Sequence, residues 1–301
     1  MALDLVVFEK TPVTLMTVRN APRFMARLVT SDVSKMLTGA LERTVLMNAT
    51  GGVIDTLWVG RSAQEEYRLI LAGENADARE AWIRQVRVAF DAEVDSEKCD
   101  GFYFVGKLPV DGLTLEPGHM VEMNGITFLC MNWVSLVVGP SENIEALRNN
   151  LIAAGAKTGE QTGLDALRIL AREPALGLEF DESASPLETG LEDAIDFTDK
   201  DRIFIGRALT EARANAGNHD KLQLVAFDTP FDPSLLIDVP LIAIGDLGYQ
   251  LTSIARIPEI PLTVGLVRLP ASVNVGDRLK CIVQTDPRTV CEGAIVIDPQ
   301  I

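Results

Sequence analysis

Gly51 and Gly52 separate two apolar runs, VLMN and VIDTLWV, and a Gly-Gly step between two strand-like segments obliges the chain to reverse there. The turn delivers Asp55 to the start of the second strand. A second stretch is punctuated as strongly. In Gly163–Leu191 (GLDALRILAREPALGLEFDESASPLETGL), Leu164, Leu167, Ile169 and Leu170 form an apolar face at helical spacing, and Gly177 permits a turn. Asp181–Glu182 then precede Ser185–Pro186–Leu187–Glu188, so a short helix runs into an acidic turn.

The rest of the chain supplies elements around these two stretches. Residues 1–20 read as strands, Asn20–Ala21–Pro22 opens a helix through Leu28, and strands follow at Thr44–Asn48, Val53–Gly60 and Tyr67–Ala72. Asn75–Phe90 is spaced as an amphipathic helix. From Gly101 to Val138 the sequence is strand-rich, with Asn124–Gly125 as its strongest hairpin signal; Glu142–Ala154 is helical and is closed by Gly155. Phe204–Ile205–Gly206 introduces a helix that Gly217–Asn218 ends. From Lys221 onward Pro230, Pro233, Pro240, Gly245, Gly248, Pro258, Pro261 and Gly265 break the chain into short strands, the pattern of a small barrel or sandwich. The fold class expected is α+β.

Composition narrows the partners. The chain has 301 residues, 47% of them hydrophobic, enough for two or three packed units. A formal charge of −16 repels phosphates over most of the surface, which argues against nucleic acid or an anionic membrane as the main partner. Cys99, Cys130, Cys281 and Cys291 show no Cys-x-x-Cys spacing, and with only His119 and His219 beside them no zinc set is expected. Reduced thiols in a cytoplasmic protein are the expectation. Asp4, Glu9 and Lys10 interrupt the N-terminal apolar stretch, so neither a signal peptide nor a membrane span is expected.

Four ordered motifs run over nearly the whole chain: Asn48-x-x-Gly51-Gly52-x-Ile54-Asp55; Arg168 followed by Gly177-x-x-x-Asp181-Glu182-x-x-x-Pro186-x-Glu188-x-Gly190-Leu191; Phe204–Arg207; and Val273–Leu279. In this order they resemble the glycine-cleavage T-protein family, tetrahydrofolate-dependent aminomethyltransferases and related methyl-transferring demethylases. The resemblance implies a three-lobed fold around a central cavity, with ferredoxin-like units and a C-terminal small β-barrel. Residues 1–100 would be an N-terminal α+β lobe completed by 160–215, residues 101–160 a central α+β lobe, and residues 216–301 a barrel-like lobe. Against the family pattern the matches begin late, so a shortened cavity wall is expected.

Where the family has two consecutive acids after the Gly-Gly turn, the second of them catalytic, this chain has Asp55–Thr56. The glutamate that holds the pterin ring has no counterpart in Asn132–Glu142, and the family's tyrosine before the Asn-Gly-Gly strand is Arg43. The candidate catalytic residues are Asp55 and Glu188, and the candidate substrate or cofactor residues are Arg43, Asn48, Thr56, Trp58, Tyr103 and Arg168. Each has a structural reading as well: Gly51–Gly52 as a turn, Asp55 as a cap, Arg168 as the partner of Asp181 or Glu182, Arg43 as a solvated strand residue, Trp58 as core. His119 reads as a loop histidine.

Three functions follow as expectations. The first is a tetrahydrofolate-dependent one-carbon transferase or demethylase acting on a small methylated amine, thioether or aromatic methoxy compound. The second is a folate-independent lyase on the same fold, releasing formaldehyde from an aromatic or amino substrate. The third is a non-catalytic folate-domain subunit of a multi-subunit amine oxidase. The partners expected are a small-molecule substrate and either a second copy of the chain or a flavoprotein.

Overall fold

Strand β1 (Leu5–Arg19) is the spine of the first of two units in the computed structural model, which describes residues 4–257, 260–286 and 290–299. That unit comprises Met1–Met47, Ile54–Gln161 and Ala194–Ile205. Its other strands are β2 (Leu41–Met47), β3 (Val53–Ala63), β4 (Glu66–Ala72), β5 (Glu93–Gly106), β6 (His119–Met123), β7 (Ile126–Cys130), β8 (Ser135–Gly139) and β9 (Lys157–Thr158). They form one sheet in the order β2-β3-β4-β1-β5-β8-β7-β6, with β9 beside β1. Helices α1 (Pro22–Leu28), α2 (Ala76–Arg87) and α3 (Ser141–Ala153) complete the unit, within a few residues of the bounds the sequence suggests.

One bulge decides which side of the sheet is core. Val7 pairs with Phe104 and Lys10 with Phe102, so one extra β1 residue shifts the alternation. Leu5 and Val7 before the bulge therefore share a face with Met16 and Val18 after it. On that face α2 packs against β1 and β4 and α3 against β5 and β8. Met16, Val18, Leu57, Val59, Leu69 and Ile83 fill one cluster, and Val7, Phe102, Phe104, Val137 and Ile144 fill another. Each such side chain removed from water contributes about 1.5–3 kcal/mol.

The opposite face is concave. Gly60 on β3 lies so close to β6 that a Cβ there would sit 2.4 Å from the Met120 sulfur. Met120 N–H donates to the Gly39 carbonyl and Leu41 N–H to the Gly118 carbonyl, both at 2.7 Å, so β6 curls back to the start of β2 as in a half-barrel.

The 194–205 segment is tied into this unit by the buried Arg202, whose guanidinium donates to the carbonyls of Val29 and Ser31 at 3.0 Å and of Asp196 at 2.8 Å. Burial pushes the Asp196 carboxyl up, but bonds from Thr198 and Lys35 outweigh it and bring it down to about 2. Glu80 is likewise held at about 2, first by the Ser96 hydroxyl and then, against burial, by Lys98 and Arg84. Both folded values lie below the usual carboxylate range, so the stability they lend is present above pH ~4 and is lost as the pH falls toward ~2. Thermal melts between pH 5 and 2, followed by tryptophan fluorescence, are expected to show this loss, and Asp196→Asn is expected to flatten it.

The second unit comprises Asn48–Val53, Thr162–Asp193 and Gly206–Ile301. Strands β10 (Lys221–Phe227), β11 (Leu241–Ile244), β12 (Leu247–Ile257), β13 (Leu262–Leu269), β14 (Arg278–Gln284) and β15 (Val290–Ile297) close into a barrel in the order β10-β13-β12-β11-β14-β15. This is the small barrel that the Pro and Gly spacing implied, although Pro258 itself lies outside the described residues. Helix α4 (Gln161–Leu170) lays Ala166 and Ile169 on Leu222, Leu224, Val264 and Leu266. Helix α5 (Arg207–Ala216) starts after Gly206 at φ 84° and stops at Gly217 at φ 66°. Cys281 and Cys291 sit in the barrel core, their sulfurs 3.8 Å apart. Among the described residues no helix is long and apolar enough to cross a membrane.

Candidate functional site

Alternation along β3 divides the residues that follow the Gly-Gly turn between the two faces of the sheet. Leu57 and Val59 lie in the helix-side core, and Asp55 shares their side. There its carboxylate is 3.1 Å from Nε of Arg79 on α2 and accepts the Thr56 N–H at 2.7 Å. Arg79 also donates to the carbonyls of Thr56 and Asn75, both at 3.3 Å, and to that of Ala72. Burial pushes the Asp55 carboxyl up, with Arg79 pulling back, and burial likewise lowers the Arg79 guanidinium.

Thr56 and Trp58 fall on the concave face. Three residues apart on a strand, Asp55 and Trp58 point to opposite sides, so the structure does not bring them together. Tyr103 lies on the concave side as well, because its neighbours Phe102 and Phe104 are in the helix-side core. It stacks on Trp133 from the β7–β8 connection, with ring centroids 6.5 Å apart and planes at 22°. Trp133 is half-buried, and its indole Nε1 is shielded from solvent without a hydrogen-bond partner. Arg43 alternates with Thr44 and Leu46. Thr44 Oγ1 accepts from Thr30 N–H and Leu46 belongs to the helix-side core, so Arg43 is half-buried on the concave side.

That side has two ends, marked by the two turns that flank β7. Near the Asn124–Gly125 turn lies a cavity of about 500 Å³ whose lining includes Thr17, Arg19, Arg68, Glu97, Glu122 and Thr127. None of the residues nominated from the sequence lines it. Arg68 is 2.7 Å from Glu122, and Arg19 is 2.6 Å from Glu66 and 2.7 Å from Asp95. Tyr103 and Trp133 belong to the other end. There the strand residues registered around Tyr103 on its face are Gly101, Cys99, Leu136 and Leu129.

The remaining nominated residues lie in the second unit. The side-chain oxygen of Asn48 accepts from Thr50 N–H, Thr50 Oγ1 and Gly52 N–H, and its amide donates to the Glu182 carbonyl at 2.8 Å. Val53 N–H donates to the Ala184 carbonyl at 3.0 Å. The Asn-x-x-Gly-Gly and Asp-Glu-x-x-x-Pro motifs are thus two sides of one knot. Arg168 does not meet Asp181 or Glu182. Its Nη1 is 3.2 Å from the fully buried Glu179, its Nη2 donates to Ser253 Oγ at 2.8 Å, and its Nε meets Asp165 at 3.3 Å. Asp181 turns instead to its own loop, accepting from Ser183. Glu188 is half-buried in a short 3-10 turn, Pro186–Glu188.

Arg79 and Glu179 are polar groups that sequence reasoning passed over, and Trp133 is a ring that the sequence suggests only as core. Nothing local distinguishes them, since their partners lie 24, 30 and 11 residues away at Asp55, Tyr103 and Arg168. No group of three or more His, Cys, Asp or Glu among the described residues is placed to hold a metal.

No family model matches the chain. The aminomethyltransferases of Bordetella pertussis and Bordetella parapertussis are each 25% identical to it over 299 residues, spanning 91% of this chain and 79% of theirs. The crystal structure of glycine cleavage system aminomethyltransferase T from Bartonella henselae matches with a TM-score of 0.82 at 17% identity, covering 99% of this chain and 86% of that one. The half-barrel sheet and the closed six-stranded barrel are the architecture of that fold. Along nine-tenths of its sequence, and in its fold, the chain is similar to the aminomethyltransferases, the glycine-cleavage T-proteins.

Proposed function

We propose that this chain is an enzyme of one-carbon chemistry, a transferase or demethylase acting on a small methylated substrate, with the concave face of the first unit as a wall of its pocket. The observation that carries this reading is the Tyr103–Trp133 ring pair on the same face as Thr56 and Trp58. Stacked rings offer a flat, water-excluding surface to a planar ligand. The aminomethyltransferase relatives support the one-carbon assignment. On this reading Thr56, not Asp55, meets the substrate, and Asp55 acts at one remove by holding Arg79 against the Thr56 carbonyl.

Tetrahydrofolate is the acceptor that the family implies. The ring faces suit a pteridine, but its pyrimidine edge does not. That edge presents N–H donors beside its acceptors, and the strand residues registered around Tyr103 on its face, Gly101, Cys99, Leu136 and Leu129, bring no carboxylate to those donors. On the concave face the carboxylates Asp95, Glu97 and Glu122 lie toward the other end. These residues do not fit the donor edge of a pterin.

That misfit favours a second reading, a folate-independent lyase. Its substrate would carry a hydroxymethyl group, and cleavage of the bond to that carbon would leave formaldehyde and a protonated remainder, with no oxidant needed. Calorimetric titration with tetrahydrofolate and a formaldehyde assay with and without it test both. Saturable binding at about 100 μM or below supports the transferase. Formaldehyde release without folate supports the lyase. Neither binding nor turnover sinks both. In either case Thr56→Val is expected to cut turnover more than Asp55→Asn does.

A further inference from the structure

We infer that the cavity beside the Asn124–Gly125 turn is a binding site for a linear aliphatic polyamine, a ligand with ammonium groups spaced along an apolar chain. Its volume of about 500 Å³ is that of a small-molecule pocket, and all of its lining residues belong to the first unit. None of them is nominated for one-carbon chemistry, so the inference goes beyond that reading and does not depend on it. Charge sets the sign of the ligand. Two guanidiniums line the cavity, and carboxylates hold both: Glu66 at 2.6 Å and Asp95 at 2.7 Å hold Arg19, and Glu122 at 2.7 Å holds Arg68, which also donates to Thr17 Oγ1. Glu97 is the carboxylate left over. Among the described residues it makes no ion pair and no side-chain hydrogen bond, and no lysine lines the cavity. An anion therefore finds repulsion there and a cation finds attraction.

An uncharged group marks the same place independently. Thr127 lines the cavity with only 6% of its surface exposed, and its hydroxyl has no hydrogen-bond partner among the described residues. A hydroxyl buried to that degree ordinarily has one, and a bound donor would supply it. Strand pairing sets Thr127 opposite Glu122, so a hydroxyl and a carboxylate stand side by side as acceptors for one ammonium group. Glu97 is set opposite Leu15 on β5, with β8 and β7 between it and Glu122 in the sheet. Acceptors divided in this way suit a cation whose charge is spread along a chain. They do not suit a bare metal ion, and no group of three or more His, Cys, Asp or Glu among the described residues converges on one point. Leu15, Met123 and Ile126 give the lining the apolar surface that the methylenes of such a chain would cover.

The test is calorimetric titration of the full chain with spermidine at about 150 mM sodium chloride, where diffuse attraction is screened. It compares the native protein with Glu97→Gln, Thr127→Val and, as an exposed acid on α3 away from the cavity, Glu142→Gln. Saturable binding at about 100 μM or below is expected, weakened about tenfold in Glu97→Gln and about fivefold in Thr127→Val, and unchanged in Glu142→Gln. Neither Glu97 nor the Thr127 hydroxyl holds another side chain in place, so both variants are expected to melt with the native protein, which separates lost binding from misfolding. An affinity within twofold of native in Glu97→Gln or Thr127→Val overturns the inference. So does an equal loss in Glu142→Gln, the mark of general attraction to a chain of charge −16. Displacement of spermidine by magnesium at equal concentration overturns it too, since a spaced set of acceptors would not prefer the compact ion.

Discussion

Glu179→Ala is expected to destabilise the second unit by about 3–5 kcal/mol, the cost of leaving a buried charge without its partner. Glu179 has no solvent exposure and Arg168 retains 12% of its side-chain surface, so removing the carboxylate leaves a guanidinium that water reaches poorly with only the more exposed Asp165 as its ionic partner. The loss is wider than one ion pair. One oxygen of Glu179 accepts from Ser253 Oγ at 2.5 Å and Thr252 Oγ1 at 2.7 Å, and the other accepts from Ala175 N–H at 2.9 Å. Its main-chain carbonyl accepts from Arg268. The carboxylate thus joins the α4 helix, the loop after it and strand β12. Urea unfolding followed by far-ultraviolet circular dichroism measures the loss. Trp58, Trp82 and Trp133 all lie in the first unit, so tryptophan fluorescence supplies the contrast. Glu179→Gln keeps the shape and removes the charge, and it is expected to lose most of the same stability. The Arg168→Ala/Glu179→Ala pair is expected to cost clearly less than the sum of the single changes, because neither remaining group is then a stranded ion.

The contrast between Glu179 and Asn124–Gly125 shows where sequence reading works. Asn124 at φ 53° and Gly125 at φ 75° form the left-handed pair that a tight hairpin needs, and that requirement is local. Helix bounds were legible for the same reason: Gly155 and Gly217 stop helices by adopting φ 103° and φ 66°, whatever lies around them. Close turn spacing left a barrel or a sandwich open, and the closed barrel is what forms. Ion pairs and ring stacks obey no such rule. Arg168 had acids downstream at Asp181 and Glu182, but the turn at Gly177 brings back Glu179, and Asp181 is spent on Ser183. The faces of β3 were legible once the strand was placed, since alternation alone sends Asp55 and Thr56 apart. That Asp55 meets Arg79 on α2, and that Trp133 meets Tyr103, depends on how non-adjacent elements pack.

Gly52→Ala is the change in the knot at residues 48–53 with the largest expected effect, because space rather than backbone angle forbids a side chain there. A Cβ on Gly52 would lie 1.8 Å from the Glu182 carbonyl oxygen, 2.7 Å from its carbon and 2.8 Å from Nδ2 of Asn48. The nearest obstacle is main chain, which cannot rotate out of the way. To admit one methyl group the 181–185 turn must leave. It would take with it the Asn48 amide bond to Glu182 and the Val53 bond to Ala184, both inside the unit. The expected loss is about 3 kcal/mol or more, the range in which overpacking and broken buried bonds combine. Gly73→Ala supplies the comparison. Gly73 has φ +88° but nothing within 4 Å of a built Cβ, so it pays only the left-handed backbone cost of about 1–2 kcal/mol. Asn48→Ala keeps the glycine and removes the four side-chain bonds, and it is expected to fall between the two. If Gly52→Ala melts as Gly73→Ala does, the 48–53 loop and the acidic turn are not in contact as described. The Gly-Gly step would then be a plain hairpin requirement. If the predicted order holds, the second glycine is there because another strand of main chain occupies the place of its side chain, and the paired motifs are a structural joint before they are anything else.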